Sequence, residues 1–568
     1  MQKLIRFLRP YMRYVILGPF FKLLEAVFEL IVPVVMAKII DNGIANRDTA
    51  YIGWMCGLIV LLGICGLGFA LICQYFASKC AFAYGTDLRG ALFRHINTLS
   101  HTELDRLGSA TLINRITTDV NASQQGVNMA IRLGTRAPFL VIGAIVMTLL
   151  IDWQLSLIFL IIAPILGMVL YAVLTRTIPM YTRNQQKLDA IARHTGESLD
   201  GVRVIRAFSK QKQETERFAA ECDDLERSMI AAGRISAILN PATFLIMNLG
   251  IAAVLWFGGV QVDAGQLTQG DLTAFTNYMT QILLAGVQLA NLIQILTKAQ
   301  ASSLRVAQVL ETKSSMQDGD AVPMEDAQAI CFENVSFTYD GAGSPALEEI
   351  SFTLQKGQTL GIIGGTGSGK STLAALMQRN YDATSGTVRI FGRDVREYSR
   401  RALNAAIGTV PQKAVLFTGT IEENLRWADE NASPEQLRNA IETAQAAEFV
   451  DNLQYGLKTR LVQGGRNLSG GQKQRLTIAR ALAGKPDMLI LDDSMSALDY
   501  ATDAALRTAL AERCQGMTTV VISQRATSLR NADLILVLED GRCVGQGTHE
   551  DLLENCEVYR EIFQSQNA

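Results

Sequence analysis

Apolar positions are concentrated in the first 300 residues of the chain. The stretch 52–73 contains no charged residue, and a helix that crosses a bilayer needs about 20 such residues. Five more stretches are similar, two of them interrupted by polar residues: 138–151, 155–172, 242–261, 14–40 and 272–297. The pattern predicts six membrane spans between residues 14 and 300.

The segments between these stretches keep a helical pattern. Residues 74–103 and 173–235 contain few glycines or prolines, which predicts helices that continue beyond the membrane. A helix from 52 to about 103 would be roughly 75 Å long, whereas the hydrocarbon core is only about 30 Å thick. The short segments 108–117 and 200–209 are expected at the tips of these extensions, where they would contact a soluble domain.

Basic residues predict the orientation of the spans. Lysines and arginines are frequent before the first span and in 79–136 and 173–234, but absent from 152–154 and 261–271. Because basic loops remain on the cytoplasmic side, we expect the N-terminus, both long connections and the C-terminal domain in the cytoplasm. The protein is predicted to be a multi-pass protein of the cell membrane.

The remaining composition excludes several classes of protein. The chain has 52 basic and 54 acidic residues, so nothing predicts a nucleic-acid partner. Its nine cysteines have no CxxC spacing, which argues against a disulfide framework or a zinc site. The predicted fold is an all-α six-helix transmembrane domain (1–310), a linker (311–328) and an α/β P-loop domain (329–568).

The stretch TLGIIGGTGSGKST, residues 359–372, is the strongest local signal. An apolar strand leads into a glycine-rich loop, whose backbone N–H groups can surround phosphates at the start of a helix. Lys370 is expected at the β- and γ-phosphates and the Ser371 hydroxyl at a magnesium ion. The predicted nucleotide contacts here are Gly364, Thr366, Gly367, Ser368, Gly369, Lys370, Ser371 and Thr372.

A second motif, LSGGQKQR at 468–475, precedes an apolar strand that ends at Asp492. Together with the phosphate loop it makes the chain resemble an ATP-binding cassette (ABC) transporter, specifically a half-transporter of the exporter type, over its whole length. The resemblance implies ATP and Mg²⁺ as cofactors, with Ser371, Gln412 and Asp492 at the metal. It also implies that Tyr339 stacks on adenine, although a buried strand aromatic is an equal alternative for this residue alone.

In such transporters the signature motif closes over the nucleotide of the opposite subunit. By resemblance, the signature residues are Leu468, Ser469, Gly470, Gly471 and Gln472. The stretch SALD at 496–499 matches the loop that joins the two sites, and 108–117 and 200–209 match the two coupling-helix regions.

Two positions depart from the family pattern. Asp493 stands where a glutamate normally serves as the catalytic base, and Gln524 stands where a histidine normally faces the γ-phosphate. A base must come within about 2.6–3.2 Å of the attacking water. The missing methylene withdraws the carboxylate, and a misplacement of about 1 Å can cost roughly 100-fold. Gln524 cannot become cationic. We expect a site that binds ATP but hydrolyses it slowly.

The intact signature predicts an unlike partner subunit that supplies the missing glutamate and histidine. The chain is therefore interpreted as the degenerate-site half of a heterodimeric exporter for a small molecule, which could be drug-like, a lipid or a peptide. The alternatives are a homodimer with two slow sites and an ATP-gated channel or regulatory subunit. A soluble DNA-repair ATPase is excluded by the six spans, and an importer is disfavoured because importers usually carry these two parts on separate chains.

Polar residues inside the spans are candidates for a substrate pathway. Lys22, Glu25 and Glu29 lie on one face of the first span. Because charges in a membrane usually face protein or water, Glu29 either contacts a cationic substrate or a proton or has a structural role only. Lys22 and Glu25 are expected to form an ion pair. In the sixth span a stripe of about 80° either lines the pathway or joins helices; it comprises Asn277, Gln281, Gln288 and Asn291.

Overall fold

The computed structural model describes residues 2–324 and 327–567. Contacts divide the chain into two units: Met1–Asn97 with Ala110–Thr312, and Thr98–Ser109 with Lys313–Ala568. A short piece from between two long helices therefore belongs to the C-terminal unit. Residues 325 and 326 of the predicted linker lie outside the described residues.

Helices dominate the chain up to residue 311, because long apolar stretches are joined by helical polar segments. Short 3-10 turns precede them at Gln2–Phe7 and Arg9–Tyr11. In chain order the helices are α1 Met12–Lys38, α2 Thr49–Ile96, α3 His101–Leu107, α4 Ser109–Asn114, α5 Val120–Leu133, α6 Arg136–Ile151, α7 Trp153–Asp200, α8 Val202–Ala207, α9 Gln211–Ala237, α10 Leu239–Asp263 and α11 Gln269–Glu311. Single π-helical segments, Ile39–Ile44 and Arg115–Asp119, follow α1 and α4.

Five helical segments in the described residues are long and apolar enough to cross a membrane. They contain five of the six predicted spans. The first predicted span, α1, is 27 residues long, but every 18-residue stretch of it contains Lys22, Glu25 and Glu29. These charges distinguish it from the other five, and they are partnered inside the protein, as described below.

The extension of α2 is confirmed, but its tip is not where the sequence predicted it. α2 ends at Ile96 after 48 residues, about 72 Å at 1.5 Å per residue. Ser100 then starts α3 with a capping box that includes Glu103, so 101–107 form the helix at the tip. Most of the predicted tip, 108–117, already belongs to the returning helix. At the second tip α8 lies inside the predicted segment 200–209.

The C-terminal unit contains three β-sheets. Their strands are β1 Ile330–Phe337, β2 Leu347–Leu354, β3 Thr359–Gly364, β4 Ser385–Ile390, β5 Arg393–Asp394, β6 Ile407–Val410, β7 Gly419–Thr420, β8 Arg460–Leu461, β9 Met488–Asp492, β10 Thr518–Ile522, β11 Leu534–Glu539 and β12 Arg542–Gly547. The strand orders are β2-β1-β4-β5, β12-β11-β3-β10-β9-β6 and β7-β8. In the six-stranded sheet all neighbours are parallel except β11 and β12.

Helices cover the six-stranded sheet, as an α/β fold requires. The helices of the C-terminal unit are α12 Lys370–Met377, α13 Arg400–Ala406, α14 Ile421–Leu425, α15 Pro434–Thr443, α16 Ala447–Asp451, α17 Gly470–Ala483, α18 Tyr500–Arg513, α19 His549–Asn555 and α20 Glu557–Asn567. The central strands β3, β9 and β10 are almost entirely buried and apolar, which explains their continuous hydrophobic runs.

The parallel strands bring distant sequence segments to one edge. The phosphate loop follows β3, Asp492 ends β9, Gln524 follows β10 and Gln412 follows β6. Because parallel strands place their carboxyl ends at the same edge of a sheet, these groups gather there, where such folds bind their ligands.

Candidate nucleotide site

The phosphate loop joins β3 to α12, and its glycines are required by its geometry. Gly367 and Gly369 have φ values of 85° and 98°, which side chains rarely adopt. A Cβ at Gly364 would lie 2.2 Å from the Leu538 carbonyl oxygen, and one at Gly369 would lie 2.7 Å from the Ala346 carbonyl oxygen. The sequence therefore encodes a loop with an open, backbone-lined concavity at a helix N-terminus, which suits phosphate.

Lys370 is folded back over this loop. Its Nζ donates to the carbonyl oxygens of Gly364 at 2.9 Å and Gly365 at 2.5 Å. Burial lowers the pKa of Lys370, and the nearby carboxylates of Asp493 and Asp492 oppose that shift. The ammonium group thus lies at the loop with only carbonyl and hydroxyl acceptors, and an anionic phosphate would be a stronger partner.

Asp492 and Ser371 face each other across the site. The Ser371 hydroxyl donates to Asp492 Oδ1 at 3.2 Å. Burial raises the pKa of Asp492, the charge of Asp493 adds to this, and the Ser371 hydrogen bond and Lys370 act in the opposite direction. A cation placed here would reverse this shift, because it stabilises the carboxylate form.

Asp493 and Gln412 form a second pair beside the first. Gln412 Nε2 donates to Asp493 Oδ2 at 3.2 Å. Together the two pairs provide hydroxyl, carboxylate and amide oxygens, which are the donors that Mg²⁺ prefers, and Mg²⁺ is usually held by one or two carboxylates plus phosphates. The residues present therefore fit a magnesium site, and the structure brings together all three predicted metal residues.

Gln524 is exposed, and its backbone is fixed by the C-terminal helix. Gln566 Nε2 donates to the Gln524 carbonyl oxygen at 2.6 Å, and Gln566 Oε1 accepts from the Ala526 N–H at 2.8 Å. One side chain thus spans the turn that carries Gln524. Gln566 was not predicted, because no motif near it in the sequence marks it as part of this turn.

The signature residues start helix α17. Ser469 is its N-cap and forms a capping box with Gln472: Gln472 N–H donates to Ser469 Oγ at 3.3 Å, and Ser469 N–H donates to Gln472 Oε1 at 2.9 Å. Leu468 is buried beneath them, whereas a Cβ at Gly470 would meet nothing within 4 Å. In the described part of the chain, no hydrogen bond joins the signature to the phosphate loop of the same chain.

Tyr339 follows β1 and is 37% exposed, so it is not a buried strand aromatic. Its hydroxyl lies 3.1 Å from Thr372 Oγ1 at the start of α12. Phe337 and Tyr381 contact its ring edge to face, at centroid distances of 4.8 and 5.4 Å. The structure therefore holds Tyr339 beside the phosphate loop with part of its surface open.

Tyr381 also connects this aromatic cluster to α3. Its hydroxyl donates to Asp105 Oδ2 at 2.5 Å, and its ring lies 5.9 Å from that of His101. Desolvation and the Asp105 hydrogen bond raise the pKa of Tyr381, so the phenol remains a donor. This contact was not predicted, since its two partners are 276 residues apart.

Within the first unit, Arg136 binds two of the five predicted pathway residues, and a third joins them through α1. Its guanidinium donates to Glu29 Oε2 and to Gln288 Oε1, both at 2.7 Å, and Gln281 Nε2 donates to the Glu29 carbonyl oxygen at 3.3 Å. Asn277 instead donates to the Thr273 carbonyl oxygen of its own helix, and Asn291 is exposed.

The other two charges of α1 form the expected ion pair, with Lys22 Nζ 2.6 Å from Glu25. Arg136 was missed by the sequence analysis because it lies at a helix start, outside the apolar stretch 138–151.

Two families match the chain. Residues 15–285 match the ABC transporter transmembrane region, and residues 347–496 match the family described as ABC transporter. An uncharacterized ABC transporter ATP-binding protein of Mycobacterium tuberculosis is 38% identical over 99% of this chain and 97% of its own length. The chain belongs to the ABC transporter family.

Other matches extend over the same length. The ATP-dependent lipid A-core flippase of Chromobacterium violaceum is 31% identical over 100% of this chain and 97% of its own. A bacterial Atm1-family ABC exporter with ATP bound has the same fold, with a TM-score of 0.83 over 98% of both chains at 24% identity. This ABC transporter is thus a multi-pass membrane protein with the exporter fold and a cytoplasmic, ATP-hydrolysing domain.

Proposed function

We propose that this ABC transporter exports a small molecule as one half of a heterodimer, and that its own phosphate-loop site hydrolyses ATP slowly. ATP would contact the phosphate loop and Tyr339, with Mg²⁺ held by Ser371, Gln412 and Asp492. The observation that carries the proposal is the contrast between two altered positions, Asp493 and Gln524, and an unaltered signature on the same domain.

The short side chain of Asp493 supports slow ATP hydrolysis at this site. Its carboxylate is one methylene shorter than that of glutamate, and its Oδ2 already accepts a hydrogen bond from Gln412. A general base must instead contact the attacking water at about 2.6–3.2 Å. Gln524 has no charge with which to stabilise the transferred phosphoryl group, and such electrostatic contacts are usually the largest catalytic contribution.

The signature supports an unlike partner. It retains Ser469 and both glycines at the N-terminus of a 14-residue helix, and a helix N-terminus with free N–H groups favours an anion. In the proposed complex this surface completes the nucleotide site of the partner subunit, which supplies its own phosphate loop and catalytic glutamate. ATP turnover then occurs mainly at that second site.

The cargo is proposed as an amphiphile, on the basis of the membrane-embedded polar cluster. Glu29, Arg136, Gln281 and Gln288 join α1, α6 and α11. Arg136 Nε and Gln281 Oε1 are buried and have no hydrogen-bond partner among the described residues. One donor and one acceptor of the cluster therefore remain unused, and we propose that polar groups of the cargo bind them once the surrounding helices move apart. One full-length relative is a lipid flippase by name, which agrees with a cargo of this chemistry.

The test is the subunit composition of the complex. A tagged chain is purified from its native membrane and the co-purifying proteins are identified. We expect an equimolar second half-transporter whose own sequence has a glutamate and a histidine at the positions of Asp493 and Gln524. A homodimer that hydrolyses ATP rapidly would contradict the proposal and would make Asp493 a competent base.

A further inference from the structure

The backbone and the side chain of Asp493 both form hydrogen bonds within the domain. Its φ is 45°, in the left-handed region that aspartate tolerates better than most residues. Its N–H donates to the Ile522 carbonyl oxygen at 3.0 Å, and its own carbonyl oxygen accepts from Ser496 Oγ at 2.7 Å. The short side chain therefore projects from a backbone that is hydrogen-bonded on both sides, and the partner that it reaches is the amide of Gln412.

This contact determines which way the Gln412 amide faces. An amide has one acceptor oxygen and one donor nitrogen. If the oxygen faced Asp493, two acceptors would be in contact, so the nitrogen faces the carboxylate. The amide oxygen Oε1 is then directed away from Asp493 and remains available. Only that oxygen can bind Mg²⁺, which takes oxygen ligands.

We propose that Asp493 is a positioning residue for the metal site: it orients the amide of Gln412 so that its oxygen is presented to Mg²⁺. This inference rests on the proposed function, in which Asp493 is too short to act as the base, and it gives the residue a different role. Groups that orient a metal ligand through a hydrogen bond typically change metal affinity by about 10–100-fold when they are removed.

Substitutions separate this role from that of a base or a direct ligand. Asparagine in Asp493→Asn keeps an acceptor oxygen at nearly the same place but has no charge and cannot take a proton. Alanine in Asp493→Ala removes the acceptor. A positioning role requires the acceptor alone, so the asparagine variant retains Mg²⁺-dependent nucleotide binding and the alanine variant loses it. Loss of a charged ligand would impair Mg²⁺-dependent binding in both variants, whereas loss of a base would impair it in neither, because a base acts only in hydrolysis.

The experiment measures Mg²⁺-dependent binding of trinitrophenyl-ATP to the purified transporter by fluorescence. The signal that disappears in Lys370→Ala is assigned to this chain's own site. We expect Asp493→Asn to require about the same Mg²⁺ concentration as the wild type for half-maximal binding. Asp493→Ala should require roughly 10–100 times more, as should Gln412→Ala, and the double variant should be no worse than either, because the two residues act through one contact.

Three outcomes decide the question. An asparagine variant as impaired as the alanine variant overturns the proposal, and so does an alanine variant with unchanged Mg²⁺ dependence. Nucleotide binding without Mg²⁺ and the melting temperature show whether each variant is folded. If Asp493→Ala does not fold, the Gln412→Ala variant decides the question alone: the same Mg²⁺ requirement as in the wild type overturns the proposal. Hydrolysis does not enter this readout, so a rapidly hydrolysing site would contradict the proposed function without deciding the positioning role.

Discussion

The phosphate-loop side and the signature side of the ATPase domain differ in how much they depart from the family pattern. At the phosphate loop, we propose that Asp493 and Gln524 stand in place of the glutamate and histidine that act on the reacting phosphate. At the signature, Ser469 and Gln472 satisfy each other in a capping box and every motif residue is present. In the proposed heterodimer these two sides contact different nucleotides, so one can lose catalytic groups while the other stays intact.

The largest expected effect is on the signature side. Ser469→Arg should reduce ATP turnover of the complex by about 100-fold or more, because it removes a donor and fills the helix N-terminus that the partner's nucleotide requires. Lys370→Ala should leave most of the turnover intact, since the slow site contributes little. Steady-state ATPase assays of the two variants make the comparison. Equal losses of ATP turnover in the two variants would show that the two nucleotide sites of the complex are equivalent.

The second prediction is that one substitution restores ATP hydrolysis on the phosphate-loop side. In a Ser469→Arg background the remaining turnover comes from this chain's own phosphate loop. Adding Asp493→Glu returns the missing methylene and should raise that turnover by up to about 100-fold, measured as phosphate release. Lys370→Ala in the same background is the control and should abolish the signal. No increase would mean that reach does not limit this site.

A smaller effect is expected at α3, which contacts the phosphate-loop side. Tyr381→Phe removes the hydrogen bond to Asp105 but keeps the ring against Tyr339. A hydrogen bond to a charged group contributes about 1.5 kcal/mol, so amide exchange of residues 98–109 should accelerate roughly tenfold.

The matched control for α3 is Tyr398→Phe. The Tyr398 hydroxyl donates to the Ile390 carbonyl oxygen at 2.6 Å in the same unit. This control should leave the exchange of 98–109 unchanged. If Tyr381→Phe has no effect either, the Asp105 contact does not hold the segment.

The smallest effect concerns the backbone of the turn that carries Gln524. Gln566→Ala removes the acceptor of the Ala526 N–H, and a neutral hydrogen bond is worth about 1 kcal/mol. Exchange of that amide should therefore accelerate roughly fivefold. Gln564→Ala, two residues earlier on the same helix, should not change it. Unaltered exchange in Gln566→Ala would show that the turn is held by other contacts.

Much of the architecture follows from local patterns. The charge-free run at 52–73 and the strand–loop–helix around Lys370 are each encoded within about 20 neighbouring residues, and both were predicted correctly. Gln412, Asp492 and Gln524 meet at one edge of the sheet because the strands that precede them are parallel neighbours. This grouping can be derived once the order of the strands is known. The family resemblance predicted that these three residues share one nucleotide site; composition did not.

The missed residues share a different property. Arg136, Tyr381 and Gln566 act on partners 40 to 276 residues away, and none lies in a motif. Their roles depend on residues that are close only in the folded structure, and the hydrophobic periodicity of the sequence does not reveal such contacts. The first tip was misplaced for a local reason: a helical pattern continues through residues 97–109, and the capping box at Ser100, which divides it, was overlooked.

The membership of Thr98–Ser109 in the C-terminal unit has a consequence for biosynthesis. Asp105 leaves the ribosome 276 residues before Tyr381, an interval of about 14 to 55 s at roughly 5–20 residues per second. During that time α3 has emerged but its binding surface has not been made. The nascent chain therefore exposes an unanchored cytoplasmic segment until the ATPase domain folds, and a ribosome stalled before residue 381 would leave it accessible to proteases and chaperones.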